Sequence, residues 1–263
     1  MVNRLKSLYD AQGFLTGVPI IKPSEALAHR SILEAVEAER GPMHYQFKAH
    51  TAMHSTYQLA ILPKILNIVE QLIGPDILLY SAAYIVKEAN TKSHVSWHQD
   101  LTYWGLDSDA QVSVWLALSD ASEASGCMHM IPGSHKHGQQ KHHNTQDNNN
   151  VLLSGQTIND IDPNQSIAAS LKAGQASFHH GWTIHCSQPN LTNDRRIGLN
   201  IQYISPAVKQ LKQQQDSAML VRGVDHYGHF QTDQPAQSNF DSKAWQKQKA
   251  LDDKLKGIQG NTT

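Results

Sequence analysis

The sequence predicts one domain that is mostly β-structure, a sandwich or barrel of short strands with flanking helices. In the part before Gly74 and Pro75, apolar residues recur with a helical period, about 3.6 residues. After this point, short apolar runs of strand length alternate with turn-forming residues, which is typical of sandwiches and barrels. The chain has no glycine pattern of the dinucleotide-binding kind, and 263 residues fit a single β domain.

Two helices are predicted in the N-terminal part. In the first, a helical pattern follows Ser24, a favoured N-cap residue, and stops at Gly41. The second is indicated by apolar residues spaced three and four apart, and it ends at Gly74. Pro63 is expected either to bend this helix or to occupy its first turn. The apolar positions of the second helix are Leu59, Leu62, Leu66, Val69 and Ile73.

Six strands are predicted after the second helix. Residues 77–86 form a continuous apolar run of strand length. In residues 112–118, valine and leucine alternate with serine, tryptophan and alanine, which is the period of a strand. Four further strands are predicted at residues 127–131, 166–171, 176–180 and 195–204.

Two segments are expected to lie outside the barrel. Residues 132–155 are polar and rich in turn-forming residues, so they are predicted to be a long surface loop that forms part of a lid. Residues 231–263 are polar and rich in glutamine, and a peripheral tail is predicted for them. Four apolar positions in this tail fit one short amphipathic helix: Ala244, Leu251, Leu255 and Ile258.

The composition excludes several classes of protein. A formal net charge of -1 gives no basic surface for nucleic acid or for an anionic membrane. No apolar run approaches the roughly 20 residues that span a bilayer. The N-terminus lacks the apolar core of a signal peptide, so a cytoplasmic location is expected. Cys127 and Cys186 are expected to be reduced thiols, and the oligomeric state is left open.

One stretch combines a histidine and an aspartate among aromatic residues: W-H-Q-D-L-T-Y-W-G-L, residues 97–106. Residues i and i+2 of a strand point to the same face, so His98 and Asp100 are expected to converge on one point. An imidazole and a carboxylate that converge can bind a metal cation, which needs further ligands. The H-x-D pattern by itself is frequent by chance.

A second region, residues 178–204, supplies further candidates. It contains three histidines, an arginine pair and then a strand in which Arg196, Asn200 and Gln202 share one face. An arginine beside two amides favours a polar pocket, and a guanidinium suits bidentate binding of a carboxylate. The histidines are His179, His180 and His185, and the opposite strand face carries Ile197, Leu199, Ile201 and Tyr203.

Two histidines and one carboxylate on one side of a metal form the facial ligand set of non-haem Fe(II) oxygenases, which leaves positions open for a co-substrate and oxygen. The order of features fits this set: H-x-D after a strand, a long insert, another histidine, then an arginine that begins a strand. Each feature also has an ordinary explanation. His179, His180 and the loop histidines are expected to be hydrogen-bonded or solvated, the two arginines fit surface charges, and Trp115 fits a core residue.

Three linked stretches together resemble the phytanoyl-CoA dioxygenase family of Fe(II)/2-oxoglutarate oxygenases. They are W-H-Q-D-L-T-Y-W-G-L, S-G-C-M-H-M-I-P-G-S-H-K-H-G and H-C-S-Q-P-N-L-T-N-D-R-R-I-G-L, within a resemblance that covers roughly residues 10–230. The resemblance implies a double-stranded β-helix, a cupin-like jelly-roll barrel with the metal at one mouth and helices outside. It also implies Fe(II), 2-oxoglutarate as co-substrate, and O₂.

Matched by position, the resemblance implies specific roles for residues of this chain. The iron ligands are His98, Asp100 and His185. Arg196, eleven residues after His185, matches the arginine that pairs with the distal carboxylate of 2-oxoglutarate. The other residues expected around the co-substrate are Ser187, Trp115 and Lys87. Candidates to shape the substrate side, of which several are expected to line the cleft, are Tyr103, Trp104, His180, Asn200 and Arg222.

The function that the resemblance implies is hydroxylation of an unactivated C–H bond, with release of succinate and CO₂. Because the chain has no basic surplus to hold a nucleotide handle, a small polar metabolite (an amino acid, compatible solute or aminophosphonate) is favoured over an acyl-CoA thioester. Three rival functions are a non-redox hydrolase or isomerase on the same barrel, a non-catalytic binding barrel, and a halogenase. A hydrolase mechanism would assign no role to the side chains of Arg196 and Ser187. Asp100 stands where related halogenases have a small residue, so hydroxylation is expected.

Overall fold

Two sheets enclose a central pocket, and helices cover the outside of the larger one. The computed structural model describes residues 2–145, 147–152, 155–213 and 215–260. Its helices are α1 Val2–Gln12, α2 Pro23–Arg40, α3 His54–Ala60, α4 Pro63–Ile73, α5 Leu101–Trp104 and α6 Ser242–Gly260. Its strands are β1 Phe14–Pro19, β2 Ile77–Lys87, β3 Val95–His98, β4 Gln111–Ala117, β5 Met128–Met130, β6 His143–Asn144, β7 Gln156–Thr157, β8 Ile167–Ala169, β9 Gln175–His179, β10 His185–Ser187, β11 Arg196–Ile204, β12 Ser217–Arg222 and β13 Gln231–Thr232.

The larger sheet has the strand order β1-β9-β4-β11-β2-β12-β13, and the smaller one has the order β3-β10-β5-β8. Their strands pair antiparallel, except for the parallel pair β12 and β13. A hairpin-like pair, β6 and β7, lies apart from both sheets. The mostly β architecture predicted from the sequence is therefore confirmed.

Each of the six predicted strands is present, with bounds within three residues of the prediction. The continuous apolar run that became β2 is explained by burial on both of its faces. One face of β11 carries Ile197, Leu199, Ile201 and Tyr203 into a core that also contains Leu33 of α2 and Ile65 of α4. The opposite face of β11 points into the pocket, as the strand period predicted.

Two details of the predicted helices are wrong. The N-cap of α2 is Lys22 rather than Ser24, because the chain enters the helix at Pro23 and Glu25 reaches back to accept from the Lys22 N–H at 2.7 Å. The helix predicted around Leu59–Ile73 is two helices, since Pro63 begins α4 and Leu59 belongs to α3. A proline at the first helical position has no N–H to leave unsatisfied, so it favours a new start over a bend.

The two outer segments differ from each other in their attachment. Within residues 132–155, β6 pairs with β7, which follows directly after them. The Gly138 carbonyl of the same segment accepts a hydrogen bond from Gln99 of the barrel. The C-terminal part forms a 19-residue helix, α6, longer than the short helix expected. Leu255 and Ile258 of α6 are buried, and Gln259 lines the central pocket. A purely peripheral tail was therefore the wrong expectation for this helix.

Among the described residues, no helix combines the length and the apolarity needed to cross a bilayer.

Candidate active site

Three side chains converge at the mouth of the barrel. His98, Asp100 and His185 each offer one ligand atom, and these atoms all lie within 4.8 Å of one another. His98 ends β3 and lies opposite His185 of β10 in the antiparallel register. Asp100 Oδ1 is 3.4 Å from His98 Nε2 and 3.7 Å from His185 Nε2. The geometry brings together the set that the sequence predicted, two imidazoles and one carboxylate aimed at a common point.

The reason predicted for this convergence is wrong. Asp100 does not share a strand face with His98, because β3 ends at His98. Asp100 has helical dihedrals, φ -55° and ψ -47°, and it begins the short helix α5. The chain therefore turns sharply after His98, and this turn, rather than the strand period, swings the carboxylate back toward the two imidazoles.

Backbone carbonyls orient both histidines. His98 Nδ1 lies 2.8 Å from the Ser96 carbonyl oxygen, and His185 Nδ1 lies 2.9 Å from the Thr183 carbonyl oxygen. A carbonyl only accepts, so each Nδ1 carries the hydrogen and donates it. Each Nε2 then presents a lone pair toward Asp100 and the common point, which is the tautomer that a metal ligand needs.

The second carboxylate oxygen of Asp100 is held by two side chains that the sequence reasoning did not assign to the site. Ser113 Oγ donates to Asp100 Oδ2 at 2.8 Å, and His179 Nε2 lies 3.2 Å from the same oxygen. Burial opposes ionisation of Asp100, but the neighbouring histidines, with the His179 hydrogen bond first, outweigh it and hold its pKa well below the ordinary value. Burial lowers the pKa of His185 to about 3, with His98 adding to the effect. Asp100 is thus a carboxylate and His185 a neutral imidazole, which are the charge states that bind a cation.

A buried guanidinium lines the same pocket. Arg196 is 1% exposed, and its Nε and Nη2 have no hydrogen-bond partner among the described residues. Its Cζ lies 5.0 Å from the ring centroid of Trp115. Burial lowers its pKa to about 10, so it remains charged at neutral pH. A buried, unpaired charge is strongly unfavourable, so this arrangement requires an anion in the pocket.

Ser187 and Lys87 adjoin this guanidinium. Lys87 pairs with Arg196 in the register of β2 and β11. Lys87 Nζ lies within hydrogen-bond distance of Ser187 Oγ, at 2.8 Å, of the Ser187 carbonyl oxygen, at 3.0 Å, and of the Gln188 carbonyl oxygen. Ser187 lines the pocket, whereas Lys87 is held behind it. Burial first, and then repulsion by Arg196, lower the pKa of Lys87 to about 6.

The candidates for the substrate side divide into two groups. Tyr103, Trp104 and Asn200 line the pocket. His180 does not; its Nε2 faces Asp109 at 3.6 Å, outside the barrel mouth. Arg222 also lies elsewhere and donates to Glu70 Oε2 at 2.6 Å. Arg222 ends β12 of the larger sheet, whereas His98 and His185 lie on β3 and β10 of the smaller one, and the sequence pattern did not reveal this.

The pocket residues that the sequence reasoning missed include Tyr45, Phe47 and Gln259. Tyr45 and Phe47 come from the segment between α2 and α3, and Gln259 comes from the last turn of α6. Neither segment has a periodic pattern or a metal-ligand spacing that points to a site.

Gln99, between two of the converging residues, ties the 132–155 segment to the barrel. It is fully buried, and its Nε2 donates to the carbonyls of Gly138 and Trp182, each at 2.8 Å. Its Oε1 accepts from the Gln140 N–H at 2.7 Å. Its own N–H donates to His142 Nε2 at 3.1 Å. Four hydrogen bonds thus centre on the residue that separates His98 from Asp100.

Comparison with known proteins agrees with this geometry. The family model described as Phytanoyl-CoA dioxygenase (PhyH) matches residues 22–198. A solved structure titled non-heme monooxygenase, ThoJ apo, superposes with a TM-score of 0.86 and 31% identity, covering 98% of this chain and 100% of that one. The shared architecture is the double-stranded β-helix, as the sequence resemblance implied.

Two curated relatives are also similar. A probable alpha-ketoglutarate-dependent hypophosphite dioxygenase of Stutzerimonas stutzeri is 28% identical over 64% of this chain and 56% of its own length. An L-proline trans-4-hydroxylase of Streptomyces griseoviridis is 23% identical over 75% of this chain and 84% of its own length. The chain spans about half the length of the first of these and of several phytanoyl-CoA dioxygenases that it also matches.

Proposed function

Because the chain belongs to the phytanoyl-CoA dioxygenase family, we propose that it is an Fe(II)- and 2-oxoglutarate-dependent dioxygenase. In this proposal it hydroxylates an unactivated C–H bond of a small polar metabolite and releases succinate and CO₂. The relatives named for reactions on hypophosphite and on proline support a small substrate.

One observation carries the proposal: a two-histidine, one-carboxylate set and an unpaired buried arginine line the same pocket. The histidine and carboxylate donors fit Fe(II), and they occupy one side of it only. The unpaired guanidinium fits the distal carboxylate of 2-oxoglutarate, because its planar donor fork matches a carboxylate. Among the described residues that line the pocket, Arg196 is the only lysine or arginine.

Each residue has a defined part in this proposal. His98, Asp100 and His185 hold the metal, and Ser113 and His179 hold the Asp100 carboxylate in place. Arg196 binds the co-substrate, with Ser187 as a hydroxyl beside it and Trp115 as a flat wall. Lys87 positions Ser187 from behind. Bound Fe(II) and 2-oxoglutarate supply the oxidising chemistry with O₂. Tyr45, Tyr103 and Trp104 give the substrate a partly aromatic chamber that excludes water.

The hydrolase hypothesis lacks support from these contacts. A hydrolytic metal site needs a metal-bound water and a base, but it gives no purpose to a buried arginine without a partner. No feature of the pocket favours an acyl-CoA thioester either, since its only lysine or arginine among the described lining residues is the one proposed to bind 2-oxoglutarate.

The experiment that tests the proposal is a metabolite screen. Protein loaded anaerobically with Fe(II) is mixed with 2-oxoglutarate, O₂ and one metabolite at a time, and succinate release is measured. A metabolite that stimulates succinate release and gains one oxygen atom from O₂ supports the proposal. His98→Ala and His185→Ala are expected to abolish the release while keeping the fold. Full release in either variant at limiting iron would contradict the ligand roles.

A further inference from the structure

We propose that α6 is a positioning element of the substrate chamber, in which Asp252 and Gln248 hold Phe47 and thereby the pocket wall formed by Tyr45 and Phe47. This inference rests on the proposed function, since it concerns the substrate side of that same pocket.

The backbone of Phe47 is bonded to α6 rather than to a neighbouring strand. The Phe47 N–H donates to Asp252 Oδ1 at 2.8 Å, and the Phe47 carbonyl accepts from Gln248 Nε2 at 2.5 Å. Both α6 side chains are almost fully buried, with 2% and 3% exposure. Lys256 Nζ donates to the other Asp252 oxygen at 2.6 Å, which holds the carboxylate in its orientation. One helix thus satisfies both polar groups of one pocket residue.

The segment that carries Phe47 depends on such outside contacts. Tyr45 and Lys48 have φ angles of 53° and 58°, in the left-handed region that residues with a side chain rarely adopt. A short segment with two such residues is unfavourable by itself and persists where its surroundings hold it. This backbone conformation orients the side chains of Tyr45 and Phe47. The contacts that stabilise the backbone therefore also determine the shape of the chamber.

The residues that lead into α6 hold the following part of the same segment. Lys48 Nζ, 1% exposed, forms an ion pair with Asp233 at 3.1 Å. The Ala236 N–H donates to the His50 carbonyl at 3.1 Å, and the Ser55 N–H donates to Asn239 Oδ1 at 2.9 Å. Residues 47–55 are therefore held by polar contacts with residues 233, 236, 239, 248 and 252.

The helix also faces the chamber directly. Leu255 and Ile258 pack in one cluster with Phe47, Tyr103 and Trp104, and Gln259 lines the pocket. The family match ends at residue 198, before α6 begins. The metal and co-substrate residues lie within the matched part, whereas this wall is supported from outside it. A wall held by a segment outside the family-model match is suited to setting which substrate this particular chain accepts.

Neighbouring acids in α6 provide the test and its control. Asp252 holds Phe47, whereas Asp253 is exposed and pairs with Lys249 at 3.4 Å. Asp252→Ala removes the acceptor, Asp252→Asn keeps an acceptor oxygen of the same reach, and Asp253→Ala changes an acid without touching the wall. Hydrogen exchange of residues 44–48 and 196–204 is measured in each variant, together with the KM for 2-oxoglutarate and for a substrate found in the succinate-release screen.

We expect Asp252→Ala to speed exchange of residues 44–48 by about tenfold or more, to leave residues 196–204 unchanged, and to raise the substrate KM about tenfold at a constant KM for 2-oxoglutarate. Asp252→Asn restores most of the protection, and Asp253→Ala matches the natural chain. If Asp252→Ala does not fold, Gln248→Met takes its place, because it removes the other hydrogen bond at similar length.

Unchanged exchange of residues 44–48, or equal loss of protection in both segments, would overturn the positioning role. An equal rise of both KM values would also overturn it. The proposed function has a separate test. It would be contradicted if the natural chain showed no metal-dependent binding of 2-oxoglutarate.

Discussion

The indole ring of Trp115 lies against Gly198 of the neighbouring strand, so closely that a β-carbon at position 198 would overlap the ring. The same ring contacts the Arg196 guanidinium. The glycine is therefore required by close approach, and its φ is an ordinary one. It allows Trp115 to lie flat over β11 and to form one wall beside Arg196.

Gly198→Ala is expected to displace Trp115 and to weaken 2-oxoglutarate binding about tenfold, since overpacking of this kind typically costs about 1–3 kcal/mol. Titration of the metal-loaded protein with 2-oxoglutarate measures the change in affinity, and tryptophan fluorescence reports the displacement of the Trp115 ring. Gly257→Ala is the control, because a β-carbon at this helical position meets no atom within 4 Å. An unchanged affinity in Gly198→Ala would mean that Trp115 has no part in co-substrate binding.

Arg196→Ala is expected to raise the 2-oxoglutarate requirement by orders of magnitude. Removing one partner of a buried charge pair costs about 2–5 kcal/mol, and about 1.4 kcal/mol corresponds to a factor of ten. Arg195→Ala is the matched control, because Arg195 points outward and pairs with Glu37 at 2.8 Å and with Glu88 at 2.9 Å. The KM for 2-oxoglutarate measures both. If Arg195→Ala raised the KM for 2-oxoglutarate and Arg196→Ala left it unchanged, Arg195 rather than Arg196 would be the residue that binds 2-oxoglutarate.

The product is expected to be hydroxylated and free of chlorine, even at high chloride. In the proposed site, Asp100 would bind the metal through Oδ1 while Ser113 and His179 hold Oδ2, so the carboxylate would take the position that chloride needs. Its negative charge also disfavours a second anion there. Mass spectrometry of the product after turnover in chloride and ¹⁸O₂ decides the matter. A chlorinated main product would contradict the ligand role of Asp100.

Gln99→Ala is expected to speed hydrogen exchange of residues 138–142 roughly 30-fold or more, since it removes three hydrogen bonds of about 0.5–1.5 kcal/mol each. Gln139→Ala, at an exposed neighbouring position, is the control. Exchange mass spectrometry of the substrate-free protein measures both variants. Equal exchange in the natural chain and in Gln99→Ala would show that Gln99 does not hold the loop. Strong protection across all of residues 132–155 would count against a mobile lid.

Binding of 2-oxoglutarate is expected to take up protons at neutral pH. The pKa of Lys87 is lowered to about 6 by burial and then by Arg196. An anion on Arg196 cancels part of that repulsion, so the pKa of Lys87 is higher in the complex, and the complex holds the extra proton. Affinity therefore decreases as pH rises above about 6. Calorimetry at pH 7.5 in two buffers of different ionisation enthalpy measures the uptake, and Lys87→Met should remove it. Proton release on binding would contradict this account.

The parts of the fold that follow a period were predictable from the sequence. Alternation placed Arg196, Asn200 and Gln202 on one face of β11, and the structure has them facing the pocket. The convergence of His98 and Asp100 was predicted for a wrong reason, because the turn after His98 depends on side-chain contacts of Gln99. Such contacts join residues some 40 to 80 positions apart and leave no periodic signal.

The support for the chamber could not be predicted for the same physical reason. Phe47 and Asp252 are 205 residues apart in sequence, and their contact follows from how α6 packs on the barrel. A single sequence reports local periods and short spacings, whereas packing between distant segments decides which side chains become neighbours. His179 was predicted to be hydrogen-bonded, and it is; its partner, Asp100, was not foreseen.

The carbonyls of Ser96 and Thr183 have a consequence for how the metal enters the protein. Because they already fix both imidazole rings and both tautomers, an arriving ion orders almost no side chain. Little conformational entropy is lost when the ion binds, so the strength of the bonds between the metal and its ligands determines the affinity directly. The barrel should therefore fold and persist without metal, and capture of the ion should be a late event in a finished protein rather than the nucleus of its folding.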